Sequence, residues 1–289
     1  AAHRDLHSFP PRRSSDLAQG ISKISLNGFK AWIATLVCSL VIIISFFLPV
    51  AQLFSWTLLE LGNLDANVFA VYTELAFNSI KLSFLAAIFA TAIGLILASA
   101  IRSSKSKFGF FLGKLATIGY AIPGAVIGVG IILLLSFIDH SLNEVYIWLG
   151  GTAIGLVFTG SLIGLIYAYI VRFMAVSFNS VDSSLQKIKP NVTSAARVLG
   201  ANQWRVTWQI HLPLITPGIF VGFIMVFVDV MKELPVTAML RPFGYDTLAV
   251  WVWQMAAESI WTGAALPALA IVVTGLLPVY IDRKSTRLN

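Results

Sequence analysis

Two stretches of this sequence carry residues that could act rather than only pack. The first is Asp229-Val230-Met231-Lys232-Glu233-Leu234-Pro235, three charges set among apolar residues. Charges at membrane depth are costly and face protein or water. Asp229 and Glu233 lie four apart, hence on one helical face. Lys232 falls near Asp229, and Pro235 interrupts the helix after Glu233. Two readings stand open: the cluster lines a translocation route, or it is a satisfied structural network at the outer end of its helix, with Glu233 bonding amides freed by the break at Pro235. Tyr120-Ala121-Ile122-Pro123-Gly124 joins it as a candidate. Pro123 removes a backbone donor, so nearby carbonyls need other partners or a cavity.

The second stretch is TSAARVLGANQWRVTWQIHLP, Thr193–Pro213, an amphipathic island in an oily chain. Thr193 or Ser194 can cap a helix N-terminus, and the small side chains of Ala195 and Ala196 allow close docking. Gly200 permits a left-handed helix end and a sharp turn. Trp204, Val206, Trp208 and Ile210 begin a second segment, and Pro213 suits the first turn of the next helix. The expectation is a helix–turn–helix that presents one short helix to a partner's groove. A surface hairpin with no partner is the alternative.

Other chemistry finds little support. The four histidines, His3, His7, His140 and His211, make no metal-ligand spacing. Cys38 is the only cysteine, so no intrachain disulfide forms. No Gly-x4-Gly-Lys-Ser/Thr loop is present to cradle a nucleotide. No metal site is assigned, and no cofactor is expected on this chain.

The elements that must position these residues are membrane helices. The chain is 57% apolar and 11% charged, against about 45–50% and about 25% in soluble domains. An all-α polytopic membrane protein is expected. Runs of about 20 apolar residues fall at about Trp32–Phe54, Leu75–Ile101, Leu115–Ile138, Trp148–Val171, Leu214–Met231 and Ala264–Ile281, which makes six spans. The segment between the last two is too mixed for a simple span and fits a broken, partly re-entrant piece. The Gly124/Gly128, Gly151/Gly155 and Gly160/Gly164 pairs have the spacing that lets membrane helices approach.

Loop charge sets the orientation. Arg102, Lys105, Lys107 and Lys114 follow the second span, and Arg172, Lys187, Lys189, Arg197 and Arg205 follow the fourth, with Asp182 as the one acid. The loops after the first and third spans carry Glu60, Asp65 and Glu74, and Asp139 and Glu144, without a basic residue. Both termini and the Thr193–Pro213 loop are therefore expected in the cytoplasm. The net charge of +7 belongs to these loops and does not imply nucleic acid.

The ends read differently. His7–Leu17 and Arg283–Asn289 resemble translated sequencing-adapter read-through, native basic tails being the alternative. Residues 1–19 and 283–289 are accordingly set apart from a membrane domain over 20–282, whose coupling loop is 190–213. The chain would then be part of a longer protein.

The pattern Ala-Ala-x3-Gly-x9-Ile-x-Leu-Pro, carried by Ala195, Ala196, Gly200, Ile210, Leu212 and Pro213, resembles the cytoplasmic coupling loop (the EAA motif) of ABC-importer permeases. Ser194 stands where that motif has Glu; Ser can still cap but carries no charge. GYAIPG at Gly119–Gly124, VRF at Val171–Phe173 and DVMKELPVTAMLRPFGYDTLAV at Asp229–Val250 extend the resemblance to the ferric-iron type, over most of residues 30–282. The resemblance implies a type I permease bundle in a bacterial inner membrane. It implies ATP-binding cassette subunits that hydrolyse ATP, an extracytoplasmic binding protein that delivers ferric ion, and a second permease half, this chain matching the C-terminal one. Polyamine, thiamine, phosphonate and sulfate permeases share the architecture. A secondary transporter using Asp229 and Glu233 as an ion relay is the alternative of another class; it would not need the coupling loop.

Overall fold

The computed structural model describes residues 26–62, 65–104 and 107–286, and every regular element among them is a helix. The expected tail 1–19 lies outside the described residues, as do 287–289, while Arg283–Thr286 continue the last helix. Residues up to Pro49 and residues from Val50 form two compact units. The first holds α1 (Phe29–Ile42), which buries none of its residues. A helix apolar all round belongs in lipid or against another chain.

A π-helical turn, Ile43–Phe47, joins α1 to α2 (Leu48–Leu61). A second, Thr207–His211, precedes α9 (Leu212–Met231). Both come just before a proline, Pro49 or Pro213. A proline ring collides with the carbonyl four residues back, that of Ser45 or Gln209. The wider π turn moves that carbonyl aside without ending the helix.

The second unit is a bundle. Its core is built by α3 (Ala66–Ser104), α5 (Gly124–Trp148), α6 (Leu162–Gln186) and α9. Leu82, Ala86 and Ala90 of α3 meet Leu165, Tyr169 and Phe173 of α6, and Val226 and Val230 of α9, in the main core. Nearer the C-terminal end of α6, Ala98, Val181, Leu185 and Ile215 form a second core. The backbones approach closely here. A Cβ added at Gly94 would lie 2.7 Å from Ser177 Oγ, and one at Gly222 would lie 3.2 Å from Ser177 Cα. The Ser177 hydroxyl donates to Ala90 O at 2.9 Å and that of Ser180 to Gly218 O at 2.8 Å. Small residues and interhelical hydrogen bonds hold membrane helices together where water cannot drive association.

Five described helices are long and apolar enough to cross a membrane: Phe29–Leu61, Ala66–Arg102, Gly124–Trp148, Leu162–Gln186 and Gln203–Met231. At the sixth expected position lies α12 (Trp261–Thr286), whose apolar part, Trp261–Leu276, is shorter. Two expected spans are redrawn. The third is divided at Pro123 into α4 (Lys107–Ala121) and α5. The fourth starts at Leu162 rather than Trp148 and runs on to Gln186. Residues 149–161 form a loop in which Gly150, Gly155 and Gly160 take φ of 85°, 81° and 71°, so Gly151/Gly155 is not a helix-packing pair.

The loop is pinned from below. Asp139 of α5 is fully buried and accepts from Val157 N at 3.1 Å, Phe158 N at 2.9 Å and Thr159 N at 2.8 Å. One turn on, Asn143 Oδ1 accepts from Ile154 N at 2.7 Å and Nδ2 donates to Gly155 O at 2.8 Å. Asp139 therefore belongs to the interior and not to an outer loop.

The chain after α9 is broken into short helices, as its mixed sequence predicts. α10 (Pro235–Leu240) and α11 (Leu248–Ala257) are short, and the link between them is closed by an Arg241–Asp246 ion pair.

Candidate functional site

Three stretches singled out in the sequence converge at one point in the bundle. They are the α4–α5 break at Ile122-Pro123, the Val171-Arg172-Phe173 stretch of α6, and the α9–α10 break at Lys232–Leu234. Arg172 is the organising side chain. Its Nε donates to Glu233 Oε2 at 3.1 Å and its Nη1 to Ile122 O at 3.2 Å, and its guanidinium carbon lies 5.5 Å from the Phe173 ring centroid. A Cβ added at Gly124 would lie 2.7 Å from Arg172 Nη1 and 3.0 Å from Glu233 Oε1. The glycine is thus the room in which the ion pair sits.

Glu233 is 7% exposed. Its Oε1 accepts from Val236 N at 3.2 Å and its carbonyl from the Thr237 hydroxyl at 2.6 Å, which is 2.7 Å from the Tyr169 hydroxyl. The carboxylate thus holds both a cation and an amide of the first turn after the break. Arg172 is the eleventh residue of the 25 in α6 (172 − 162 + 1). At 1.5 Å per residue it stands about 15 Å from one helix end and about 21 Å from the other. The junction therefore lies near the middle of α6 and at the C-terminal end of α9.

Asp229 and Glu233 do not share a face. Helix α9 stops at Met231, Lys232 is its C-cap, and Glu233 turns toward α6. Asp229 instead pairs with Lys232 at 2.9 Å, the lysine side chain being 59% exposed. Tyr120 and Pro123 are exposed beside the α4–α5 break, and the Tyr120 ring lies 6.4 Å from that of Phe173.

The second stretch folds as helix–turn–helix with an altered start. α7 (Pro190–Val198) begins at Pro190 with Lys189 as N-cap. Proline's fixed φ favours the first helical position, so Thr193 and Ser194 fall inside the helix and cap nothing. The Thr193 hydroxyl instead lies 3.0 Å from His211 Nε2, tying the two arms together. Ser194 and Ala195 are exposed, and Ala196 is buried. Gly200 takes φ 83°. Gly200 N donates to Arg197 O and Ala201 N to Ala196 O, both at 3.0 Å, the pair of bonds that ends a helix in a Schellman turn. Asn202 then caps α8 (Gln203–Val206) by accepting from Arg205 N at 2.8 Å. Ile210 and Leu212 are half-buried and Pro213 exposed. The turn leaves Val198 and Leu199 each 87% exposed.

The base of this hairpin is fixed by Arg102 of α3. Its guanidinium donates to Leu185 O and to Ile188 O, the latter at 3.0 Å, satisfying carbonyls at the C-terminus of α6 where a cation is favoured.

Sequence reasoning counted Arg172, Asp139 and Arg102 as loop charges. Arg172 lay within the quoted VRF, but its partners are 50 and 61 residues away, and no local pattern shows them. For Asp139 the signal was local. Asn143 follows at i+4, on the same helical face, ahead of a glycine-rich loop.

A helical membrane bundle, broken at Pro123 and after Met231 and carrying an exposed helix between two of its spans, has the build of a transporter permease. Residues 90–285 match the family of binding-protein-dependent transport system inner membrane components, and the chain belongs to that family. It is a multi-pass inner-membrane permease subunit and not an enzyme. The chain is 25% identical over 246 residues to the Fe(3+)-transport system permease protein FbpB 2 of Haemophilus influenzae, covering 85% of this chain and 46% of that protein. It spans about half the length of that relative. It is 27% identical over 268 residues to PhnV of Salmonella typhimurium, assigned as a 2-aminoethylphosphonate transport system permease, covering 89% and 95%. Among solved structures, a bacterial ABC transporter that imports alginate shares the fold with a TM-score of 0.67 at 17% identity, over 90% of this chain and 96% of that one. The MetNI methionine ABC transporter gives 0.55 at 17% identity, over 76% and 99%.

Proposed function

We propose that this chain is the pore-forming subunit of an ATP-driven importer of ferric iron and that α7 docks it to a separate ATP-binding subunit. The observation that carries the coupling role is the end of α7. Two large apolar side chains stand 87% exposed there, presented by a left-handed turn at Gly200 in a chain of a permease family. Exposed apolar side chains rimmed by charge mark a protein contact, and Arg197 and Arg205 flank this one. The coupling surface comprises Ser194, Ala195, Val198, Leu199 and Gly200 over the buried Ala196, held by Ile210, Leu212 and Pro213. The partners are ATP-binding cassette subunits, an extracytoplasmic substrate-binding protein and a second permease half. Both termini and the α7 hairpin face the cytoplasm.

The proposed route passes the two breaks, by Tyr120 and Pro123 on one side and Asp229, Lys232 and Glu233 on the other. Ferric iron is supported by the likeness to FbpB 2 and by the Asp229–Val250 stretch. A second substrate, 2-aminoethylphosphonate, is favoured by one observation: PhnV matches over 95% of its own length. Uptake into proteoliposomes holding the assembled complex separates the two. Ferric iron accumulating on ATP addition, unaffected by excess 2-aminoethylphosphonate, is the expected result. Accumulation of the phosphonate instead, or competition by polyamine, thiamine or sulfate, would reassign the cargo.

A further inference from the structure

The mid-bundle junction joins two breaks that are far apart in the chain. α4 gives way to α5 at Pro123, and α9 gives way to α10 at Pro235, while α6 runs through unbroken. The segments after the two breaks pack on each other. A Cβ at Gly128 of α5 would lie 2.9 Å from the sulfur of Met239 in α10. They form one body set against α6, and Arg172 stands on α6 at the level of both breaks. The carbonyl of Ile122 would accept from Val126 N in an unbroken helix, but Val126 N donates to Pro123 O at 3.0 Å. Ile122 O takes Arg172 Nη1 instead, while Arg172 Nε holds Glu233.

We propose that Arg172 is a positioning residue that fastens the two breaks to α6 with one guanidinium, so that they open and close as a unit. The chemistry fits arginine alone. Its planar fork carries donors aimed at two acceptors at once, whereas lysine offers a compact charge with no such fork. Gly124 fits the same role, because any side chain there would push into the fork. Glu233 also accepts Val236 N on its other oxygen, so its bond to Arg172 ties the first turn of α10 to α6. The inference deepens the proposed transport role but does not depend on the cargo or on ATP.

Hydrogen exchange of the purified full chain in lipid nanodiscs, read by mass spectrometry, tests it. R172K keeps the charge and should hold Glu233 while releasing Ile122. Exchange over residues 119–127 should then rise by roughly tenfold, as when a charge-assisted hydrogen bond that closes a segment is lost. R172M should raise exchange at 119–127 and at 232–238 together, and E233Q at 232–238 only. Unchanged exchange at 119–127 in both Arg172 variants would overturn the proposal, leaving Arg172 a counter-ion for Glu233. A rise spread evenly over α3, α6 and α9 would overturn it too, since that is general loosening. In the assembled complex, R172K should also raise ATPase activity without binding protein relative to activity with it. If the chain proves not to couple to an ATPase, the exchange result still stands by itself.

Discussion

The charged side chains near the breaks differ in how far they are committed. Lys232 is largely exposed and answers only Asp229, and an exposed pair of this kind contributes about 0–1 kcal/mol. Glu233 is buried between a guanidinium and an amide, and removing one partner of such a pair costs about 3–5 kcal/mol because the other charge is left unpaired. E233Q should therefore lower the melting temperature of the purified chain, and R172M/E233Q should recover much of that loss, since a neutral pair leaves no orphaned charge. Transport then separates the two roles of Glu233. If its charge guides a cation, E233Q assayed well below its melting temperature, with Arg172 intact, fails to take up iron. Normal uptake by E233Q would remove Glu233 from the route and leave it a structural residue. Gly200 gives a second residue-level test. No atom lies within 4 Å of a Cβ built there, so a substitution meets only the backbone penalty of φ 83°, about 1–2 kcal/mol for an L residue. G200V should uncouple ATP hydrolysis from uptake while insertion stays intact. G200N, which tolerates that backbone, should stay coupled; equal behaviour of the two would argue against the turn as the coupling element. S194E adds charge at an exposed position inside α7 and should leave coupling unchanged or improved.

At the scale of elements, the α5–α6 loop is held by α5 more than by itself. Asp139 receives three N–H groups, and each buried donor left without an acceptor costs about 1–3 kcal/mol. D139A should make the 149–161 loop cleavable by protease well before the helices, and D139N, which keeps one acceptor oxygen, should fall between. A loop as resistant in D139A as in wild type would mean that Asn143 alone holds it. The same loop shows why the sequence was readable in some places and not in others. Apolar runs long enough for a membrane marked the first, second and fifth spans, because an apolar window needs no knowledge of partners. Residues 149–161 are apolar too, yet they are not helical. Gly150, Gly155 and Gly160 take left-handed φ, and the amides of Ile154, Gly155, Val157, Phe158 and Thr159 go to two side chains of the preceding helix. Composition cannot distinguish an apolar helix from an apolar loop pinned by a buried carboxylate. The α7 turn was legible because Gly200 and its spacing act locally, whereas the N-cap was misplaced by four or five residues because Pro190 at the first helical position makes Lys189 the cap in place of Thr193 or Ser194. The Arg172 junction was legible only in pieces. Each of its three segments stood out separately, and only the packing of α5, α6 and α10 brings them to one place.

For the whole molecule, orientation follows from which charges remain in loops once the buried ones are set aside. Arg172 and Asp139 both leave the tally, one from each side, and Arg102 is drawn into the capping of α6. What is left still differs by side. The α6–α9 connection keeps Lys187, Lys189, Arg197 and Arg205, and residues 149–161 carry no charged residue at all. Positive residues near span ends stay in the cytoplasm. Helices α5 and α6 are each 25 residues long, about 37 Å, enough for each to cross the hydrocarbon core. The 149–161 loop and the α7 hairpin must then lie on opposite sides. Alkaline phosphatase fused after Leu156 should be active, and a fusion after Gly200 should be inactive; a green fluorescent protein in the same places should give the reverse. The choice of Leu156 matters. It lies beyond α5 in a loop, so the fusion leaves the span whole, whereas a fusion at Asn143 would cut into the helix that anchors the loop. Activity of phosphatase at both sites, or at neither, would mean that α6, the one span between them, does not cross. Activity at both would also put α7 out of reach of any cytoplasmic ATPase, and the coupling role would fall with the topology.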